Sequence, residues 1–389
     1  MERISRLVGS TLARHLLVAA LGMVVVVMAL TAVSDFRRFQ LAEMACLAIA
    51  AGGLTVLTGL NGQLSLGHGA LMAVGTYTTA LLLPDRDAST PLVLVVLISV
   101  CTATLVGALV GVAAARLHGP YLAGATLALA VAVPGLALHF RETLGGEQGI
   151  PVVAPPPPGW AEDATYFLTA SDLTPRGWIA FLAWSTLILS FLLLANLSHS
   201  RVGRRWRAVR DDPVAAELAG IVVGRSRVSA FMVSAAAAGA AGSMLALVVR
   251  LAAPGSFTLA LSLTLIAAVV LGGLGSLTGA LLGAALLTFL PQFVTQIGRD
   301  AGLDDVRAAE LAPLVYGLVM VLVILLAPGG LFGVIRGALT RRRARRALAA
   351  RSVEASTSTR PDPDSPPDEQ LTDPSGDHRT ATTTEGAPR

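Results

Sequence analysis

The chain reads Gly59-Leu-Asn-Gly-Gln-Leu-Ser-Leu-Gly67-His68 in the middle of a long apolar region. Residues 44–84 around it form a run of 41 residues without Asp, Glu, Lys or Arg. A helix needs only about 20 apolar residues to cross the hydrocarbon core of a membrane. We therefore expect this run to cross twice, with the glycine-rich stretch as a break in the helical structure.

A second charge-free run, residues 251–298, is 48 residues long and contains Gly272-Gly-Leu-Gly-Ser-Leu-Thr-Gly279. Its Gly-x-x-Gly-Ser-Leu-Thr pattern is similar to the Gly-x-x-Gly-Gln-Leu-Ser pattern that begins at Gly59. Non-helical backbone at membrane depth is tolerated only inside protein or beside a water-filled path. Two such breaks in corresponding places are typical of transporters built from repeats. We expect two related halves with glycine-rich broken helices.

The composition is that of an integral membrane protein. Of 389 residues, 54% are hydrophobic and 14% charged, and the mean hydropathy is +0.68. Counting the two long runs twice, the charge-free windows predict an all-α, polytopic transmembrane bundle of about ten spans within residues 1–345. The windows are 15–34, 44–84, 88–115, 117–140, 177–200, 228–249, 251–298 and 311–335.

Several kinds of chemistry are excluded by residues that the chain lacks. All 29 basic residues are arginine, so there is no Walker A lysine and this chain does not itself hydrolyse ATP through a P-loop. The spans carry no clustered His, Asp, Glu or Ser/His sets, so we expect no catalytic residues and no metal site. A self-contained secondary transporter, the alternative from another class, would need intramembrane carboxylates for ion coupling, and the spans have none.

Arginine placement predicts the orientation, because cytoplasmic loops carry the excess of basic residues. Residues 201–227 hold seven arginines against three acids, and residues 336–346 hold six arginines and no acid. Both segments should be cytoplasmic, and with ten spans so should both termini. Residues 346–389 carry eight acids and six prolines with few large apolar residues. We expect a disordered cytoplasmic tail there.

The arginine-rich segment 201–227 contains the signals of a short helix. Asp211 or Asp212 can cap its start, Pro213 suits the first helical position, and Gly220 suits the position after its end. This predicts about two turns of helix between two spans. An ordinary connector needs no capped helix, whereas a cytoplasmic partner could dock on one.

The segment 141–175 should lie on the opposite side of the membrane. It contains Gly145-Gly146 and the polyproline run Pro155–Pro158. It is either a stiff surface linker or part of a rim on which an external partner docks, and the residues leave both interpretations open.

The motifs in their order resemble the permeases of ATP-binding-cassette importers for branched-chain amino acids, the LivM type. Residues 207–221 are similar to the family pattern Arg-Ala-Ile-Arg-Glu-Asp followed by Ala-Ala-Glu-x-x-Gly-Ile. Gly62–His68, Gly119–Ala128, Gly145–Ile150 and Leu271–Ser276 resemble other signatures, and the likeness spans roughly residues 40–335. Where the family has a Thr-Gly-Gly-Ser/Asp-like loop, this chain has Gly145-Gly-Glu-Gln148.

The resemblance implies a transport subunit of a bacterial inner-membrane importer that works by alternating access. Its partners would be two cytoplasmic ATP-binding subunits, a second similar permease and an extracytoplasmic substrate-binding protein, with membrane lipid around it and no nucleic acid. ATP would be used by the partners, and this chain would bind no cofactor. The expected ATPase-coupling residues are Arg207, Asp211, Asp212, Glu217 and Gly220.

The glycine-rich breaks are the expected translocation path. A neutral lining of hydroxyl, amide and backbone groups would let a zwitterionic amino acid pass without trapping it in charge pairs. His68 has no acidic partner in its run, which favours a packed core residue over a proton relay. A neutral lining also suits urea or short amides, so these substrates stay open. The expected lining residues are Gly62, Gln63, Ser65, Gly67, His68, Thr126, Gly275, Ser276 and Thr278.

Overall fold

The structure is a computed structural model of the full chain, and it is mostly helical. It divides into two compact units, Met1–Arg336 and Gly337–Arg389. The predicted tail, residues 346–389, lies outside the described residues. The residues that the structure describes are 11–85, 90–117, 120–169, 172–326, 329–334, 336–337 and 340–341.

Fourteen α-helices are described in the first unit, together with one π-helix (Thr55–Leu60), two 3-10 turns (Gly146–Gln148 and Pro254–Phe257) and two short strands. The strands are β1 (Ile150–Pro151) and β2 (Leu251–Ala252). The α-helices are α1 (Thr11–Thr31), α2 (Asp35–Leu54), α3 (His68–Leu82), α4 (Leu92–Ala115), α5 (Pro120–His139), α6 (Arg141–Leu144), α7 (Gly159–Thr169), α8 (Pro175–His199), α9 (Arg201–Asp211), α10 (Pro213–Leu218), α11 (Val223–Val249), α12 (Leu259–Gly272), α13 (Leu277–Asp300) and α14 (Asp305–Leu326).

The apolar helices form a membrane bundle. By length and composition, six helices in the described residues can cross a membrane: Asp35–Leu60, Leu92–Ala115, Tyr121–His139, Pro175–His199, Val223–Val249 and Leu277–Asp300. Three shorter apolar helices accompany them: His15–Thr31, Leu259–Gly272 and Pro313–Val323. The multi-pass helical prediction is confirmed, and the count of about ten spans stays a prediction.

Helix α11 is the centre of the bundle and packs against α2, α3 and α4. Small residues allow these close approaches. A Cβ atom on Gly242 would lie 2.0 Å from the carbonyl oxygen of Met72 on α3, and one on Gly75 would lie 2.3 Å from that of Gly239. Such contacts are how membrane helices gain packing energy where lipid removes the hydrophobic drive between them.

Hydroxyl groups fill the same seam between α3, α4 and α11. Thr79 Oγ1 lies 2.9 Å from Ser99 Oγ and 2.7 Å from Ser243 Oγ, and all three residues are buried. Thr76 Oγ1 donates to the carbonyl of Gly242 at 2.8 Å. The hydrogen bonds satisfy polar groups that would be costly in an apolar interior, so the core is specified by polar as well as apolar contacts.

The segment after α5 is tied to the bundle, which its sequence did not predict. Strand β1 pairs antiparallel with β2, so residues 150–151 lie beside residues 251–252. Val152 N–H donates to the carbonyl of Arg250 at 3.0 Å, and Val153 N–H to that of Leu83 at 3.3 Å. Because these bonds join the segment to the ends of α3 and α11, its first part is anchored rather than a free linker.

We predict that Gly242→Ala destabilises the bundle, whereas Gly124→Ala does not. The Cβ on residue 242 would meet Met72 backbone, which cannot rotate away, while a Cβ on Gly124 would meet no atom within 4 Å. Overpacking of this kind costs about 1–3 kcal/mol. The thermal unfolding midpoints of the purified variants in detergent micelles measure the difference; equal midpoints would contradict this account of the α3–α11 contact.

Candidate functional site

Helix α2 does not end in a simple turn. It continues as the π-helix Thr55–Leu60, and residues 61–67 then run without helical structure to α3. His68, the first residue of α3, places Nε2 2.9 Å from the carbonyl oxygen of Ala50. Ala50 precedes Leu60 by ten residues, or about 15 Å of helix. Residues 61–67, which we name the first glycine segment, therefore return alongside α2 into the bundle.

Polar groups on three other helices hold the first glycine segment and the start of α3 in place. Gln63 Nε2 donates to the carbonyl of Arg227 on α11 at 3.1 Å and to Asn61 Oδ1. Leu66 N–H donates to Thr126 Oγ1 on α5 at 3.0 Å. Just beyond the segment, Gly69 N–H donates to Ser262 Oγ on α12 at 3.0 Å. Within the segment itself, the backbone N–H of Leu66 bonds Thr126 and that of Gln63 bonds the Leu57 carbonyl at 3.1 Å, so these groups have partners inside the protein.

The segment presents alternate residues to the interior. Gln63 and Ser65 are buried, Ser65 completely, whereas Gly62 is exposed and Leu64 keeps 44% of its surface exposed. Of the residues predicted to line a path, Gln63, Ser65, Gly67, His68 and Thr126 are buried in this conformation. The hydrogen bonds of Gln63, Thr126 and His68 hold the segment in its conformation. Gly62 and Leu64 form its exposed edge.

The second glycine segment, residues 273–276, joins α12 to α13. Gly273 and Gly275 have φ angles of 115° and 81°, a region that side chains disfavour. Ser276 caps α13 by accepting from Gly279 N–H at 3.1 Å, and its hydroxyl lies 2.8 Å from that of Thr278. Gly275 at 81° corresponds to Gly62 at 76° in the aligned sequence pattern, so the two glycine motifs share a conformation as well as a spacing.

The π-helix meets the second glycine segment at one point. A Cβ atom on Gly59 would lie 2.3 Å from the backbone nitrogen of Gly275 and 2.6 Å from its Cα. Such a distance leaves no room for any side chain at position 59. The π-helix and the second glycine segment are therefore in backbone contact, although more than 200 residues separate them.

The capped helix predicted at residue 213 is present as α10, Pro213–Leu218. Asp212, rather than Asp211, is its N-cap: Oδ1 accepts from the N–H groups of Val214 and Ala215 at 2.9 and 3.0 Å. Gly220 has φ 82°, and Ile221 N–H bonds the Ala216 carbonyl at 3.0 Å, which is the Schellman ending. Asp211 instead accepts two bonds from Arg210.

Helix α9 precedes α10 and fixes it to the bundle. The Trp206 side chain is fully buried, and its Nε1–H donates to Ser229 Oγ on α11 at 2.9 Å. Arg207 Nη2 donates to the carbonyl of Ser198 at 2.6 Å, which holds α9 against the end of α8. Arg207, predicted as a coupling residue, is thus a brace within this chain.

Arg210 connects α9 to the first break. Its Nη1 donates to the Gly59 carbonyl at 2.7 Å, and a Cβ on Gly62 would lie 2.9 Å from its Cγ. A cavity of about 410 Å³ lies between residues 61–64 and this part of α9 and α10. The sequence interpretation missed Arg210 and all of α9, although Val202, Trp206 and Val209 recur at the spacing of one helical face.

Helix α10 itself exposes apolar surface. Leu218 is 86% exposed and Val214 is 66% exposed, and Glu217 lies between them on the exposed part of the helix. The segment is too polar at its ends to enter a membrane, so an apolar surface here is typical of a protein contact. Within the described residues no group of three or more His, Cys, Asp or Glu could hold a metal ion.

We predict that neighbouring cysteines in the first glycine segment react very differently with a water-soluble maleimide. In a chain carrying Cys46→Ala and Cys101→Ala, Leu64→Cys should be labelled because Leu64 is exposed, and Ser65→Cys should be protected because Ser65 is buried. Labelling of the purified chain is measured by mass spectrometry before and after denaturation. Rapid labelling at both positions would show that the segment is not seated in the bundle.

Comparison with known proteins gives a consistent result. The family model described as the permease component of branched-chain amino acid transport systems matches residues 39–324. The chain is similar to the high-affinity branched-chain amino acid transport permease LivM of Salmonella typhimurium, with 33% identity over 84% of this chain and 77% of the relative. LivM of Escherichia coli is 33% identical over 73% of this chain and 67% of the relative.

A third relative is the permease BraD of Pseudomonas aeruginosa, from a high-affinity branched-chain amino acid transport system. It is 27% identical over 74% of this chain and 91% of its own length. No solved structure matches this chain significantly. The matched region contains both glycine segments and the α9–α10 pair. The chain therefore belongs to the family of permease components of branched-chain amino acid transport systems.

Proposed function

We propose that this chain is the permease subunit of an ATP-driven importer of branched-chain amino acids in a bacterial inner membrane. It would cross the membrane about ten times, with both termini in the cytoplasm. The names of its relatives support the substrate class, since LivM and BraD are branched-chain amino acid permeases. The arginine-rich α9 supports a cytoplasmic position for the segment 201–227.

The observation that supports coupling is a continuous chain of contacts from α10 to both glycine segments. Exposed α10 follows α9 directly, Arg210 of α9 bonds the Gly59 carbonyl, and Gly59 touches Gly275. A partner ATPase that moves α10 would thereby move the π-helix and the second glycine segment together. Alternating access requires a displacement of this kind, and partner subunits would hydrolyse the ATP.

The path itself would follow the exposed edge of the two segments. Gly62, Gly275, Ser276 and Thr278 lie at or near that edge, and they offer backbone and hydroxyl groups to a passing zwitterion. The buried residues Gln63, Ser65, Gly67, His68 and Thr126 would keep the edge in shape. An apolar amino acid needs no strong polar anchor, so a weakly binding, neutral edge suits fast release.

Three kinds of partner would complete the importer. A second, similar permease would cover the exposed edge, two ATP-binding subunits would receive the α10 helices, and a substrate-binding protein would dock on the opposite side. The β1–β2 pair and the anchored residues 152–153 would give that last partner a fixed surface. This anchoring supports the docking rim over the stiff surface linker as our proposal for segment 141–175.

We predict that Arg210→Met uncouples the importer while the protein stays in the membrane. Methionine keeps part of the aliphatic stem but cannot donate to the Gly59 carbonyl. Loss of a charged hydrogen bond of about 1.5 kcal/mol corresponds to an uptake about tenfold lower. Labelled leucine uptake is compared at matched membrane levels with Arg37→Met, which removes an exposed arginine far from α9 in the sequence. Equal uptake by both variants would contradict the coupling route.

The substrate is tested by uptake of labelled leucine and labelled urea in cells with and without the gene, under matched energisation. We expect loss of leucine uptake alone. Loss of urea uptake alone would replace the substrate by a small amide and leave the coupling route intact. Leucine uptake that survives deletion in a strain without other branched-chain importers would refute the proposed function.

A further inference from the structure

A cationic groove lies beside α10, on a different surface from the glycine segments. It encloses about 860 Å³ and is lined by α9, by the link after α10 and by the start of α11. We name it the arginine groove. Its lining residues are Arg201, Val202, Arg204, Arg205, Trp206, Ala208, Ala219, Gly220, Ile221, Val222, Arg225, Ser226 and Ser229.

The charge of the arginine groove is uncompensated. Four of the lining residues are arginines, all four are exposed, and none of the described lining residues is acidic. Of the acids on α9 and α10, Asp211 pairs with Arg210 and Asp212 caps α10, while Glu217 is exposed and is not part of the groove lining. Four guanidinium groups around one hollow repel each other, so the groove favours an anionic occupant.

The groove also has a fixed place relative to the lipid. Arg201 follows directly after α8, which ends at His199, and Arg225 lies in the first turn of α11, which begins at Val223. Both helices are long and apolar enough to cross a membrane. The ends of two candidate spans meet at the groove, so we place its arginines near the level of the lipid headgroups. This placement holds on whichever side of the membrane the groove faces.

The walls of the groove are held in place by hydrogen bonds and by backbone structure. Trp206 forms part of the lining, fully buried and bonded to Ser229, which in turn donates to the carbonyl of Ser226 at 2.8 Å. The link after α10 contributes Gly220, whose φ of 82° is set by the Schellman ending. An occupant would therefore contact the end of the helix that we propose for coupling.

We propose that the arginine groove binds the phosphate headgroup of an anionic phospholipid, such as phosphatidylglycerol. Guanidinium groups form paired, charge-assisted hydrogen bonds with phosphate oxygens. Basic residues near an anionic membrane surface are attracted to it, and basic pockets at span ends are suited to such headgroups. This inference goes beyond the proposed function, because it requires neither the substrate nor an ATPase.

The test uses the full chain, purified and delipidated in zwitterionic detergent, with bound lipid counted by native mass spectrometry. Dioleoyl phosphatidylglycerol is titrated against dioleoyl phosphatidylcholine. One variant carries Arg201→Gln, Arg205→Gln and Arg225→Gln. The matched control carries Arg37→Gln, Arg141→Gln and Arg176→Gln, which removes the same charge from exposed positions outside the groove. Gel filtration and thermal midpoints establish that both variants are folded.

We expect phosphatidylglycerol, and not phosphatidylcholine, to bind the native chain and the control. The groove variant should bind about a hundredfold more weakly, because three of the four guanidinium groups that would bind the phosphate are lost. Equal binding by both variants, or equal binding of both lipids, would overturn the proposal. So would displacement of the lipid by inorganic phosphate at matched concentration, which would indicate a free-phosphate site. Loss of ATPase co-purification by the groove variant without loss of lipid binding would assign the arginines to a protein contact instead.

Discussion

Every backbone N–H and C=O group within a membrane must find a partner inside the protein, since lipid offers none. The first glycine segment makes this constraint severe, because it leaves the helix and returns about 15 Å into the bundle. Thr126 accepts from the backbone of Leu66, the Arg227 carbonyl accepts from the Gln63 side chain, and Ser262 accepts from the backbone of Gly69 just beyond the segment. These helices can reach the first glycine segment only if the bundle is closely packed. The glycines that bring α3 and α11 into backbone contact therefore help to satisfy the segment's polar groups.

The π-helix connects the first glycine segment to the arginine-rich helix α9. Its Gly59 carbonyl accepts from Arg210, and its Gly59 backbone touches Gly275. One short stretch of chain is thus in contact with α9 and with the second glycine segment at once. The helix pair α9–α10 is in turn braced by Trp206 and Arg207. A displacement of α10 would reach the interior through the Arg210 side chain, its hydrogen bond to Gly59 and the backbone contact of Gly59 with Gly275.

Local chemistry allowed much of this to be predicted. Charge-free runs indicated the helical bundle, and Pro213 with Gly220 indicated α10, because caps and periodic apolar residues are local signals. His68 was predicted as a packed residue, and it is buried against Ala50. The contact of Gly59 with Gly275, the Arg210 bond and the β1–β2 pair could not be predicted, because each joins residues distant in sequence. Gln63 and Ser65 are buried, although the sequence predicted that they line the path. A neutral polar residue in such a segment can either line a translocation path or hold the segment's backbone in place, and sequence alone does not distinguish the two roles.

The backbone contact between Gly59 and Gly275 has a consequence for how such a permease can diversify. Position 59 cannot accept a side chain without moving the second glycine segment, and position 275 has a φ of 81° that side chains disfavour, so the junction is hard to adjust by substitution. Variation that tunes selectivity would have to accumulate at neighbouring exposed positions, of which Leu64 and Leu274 are the largest. The junction would then stay fixed while the adjacent surface changes, and directed evolution of the chain should start at those two leucines.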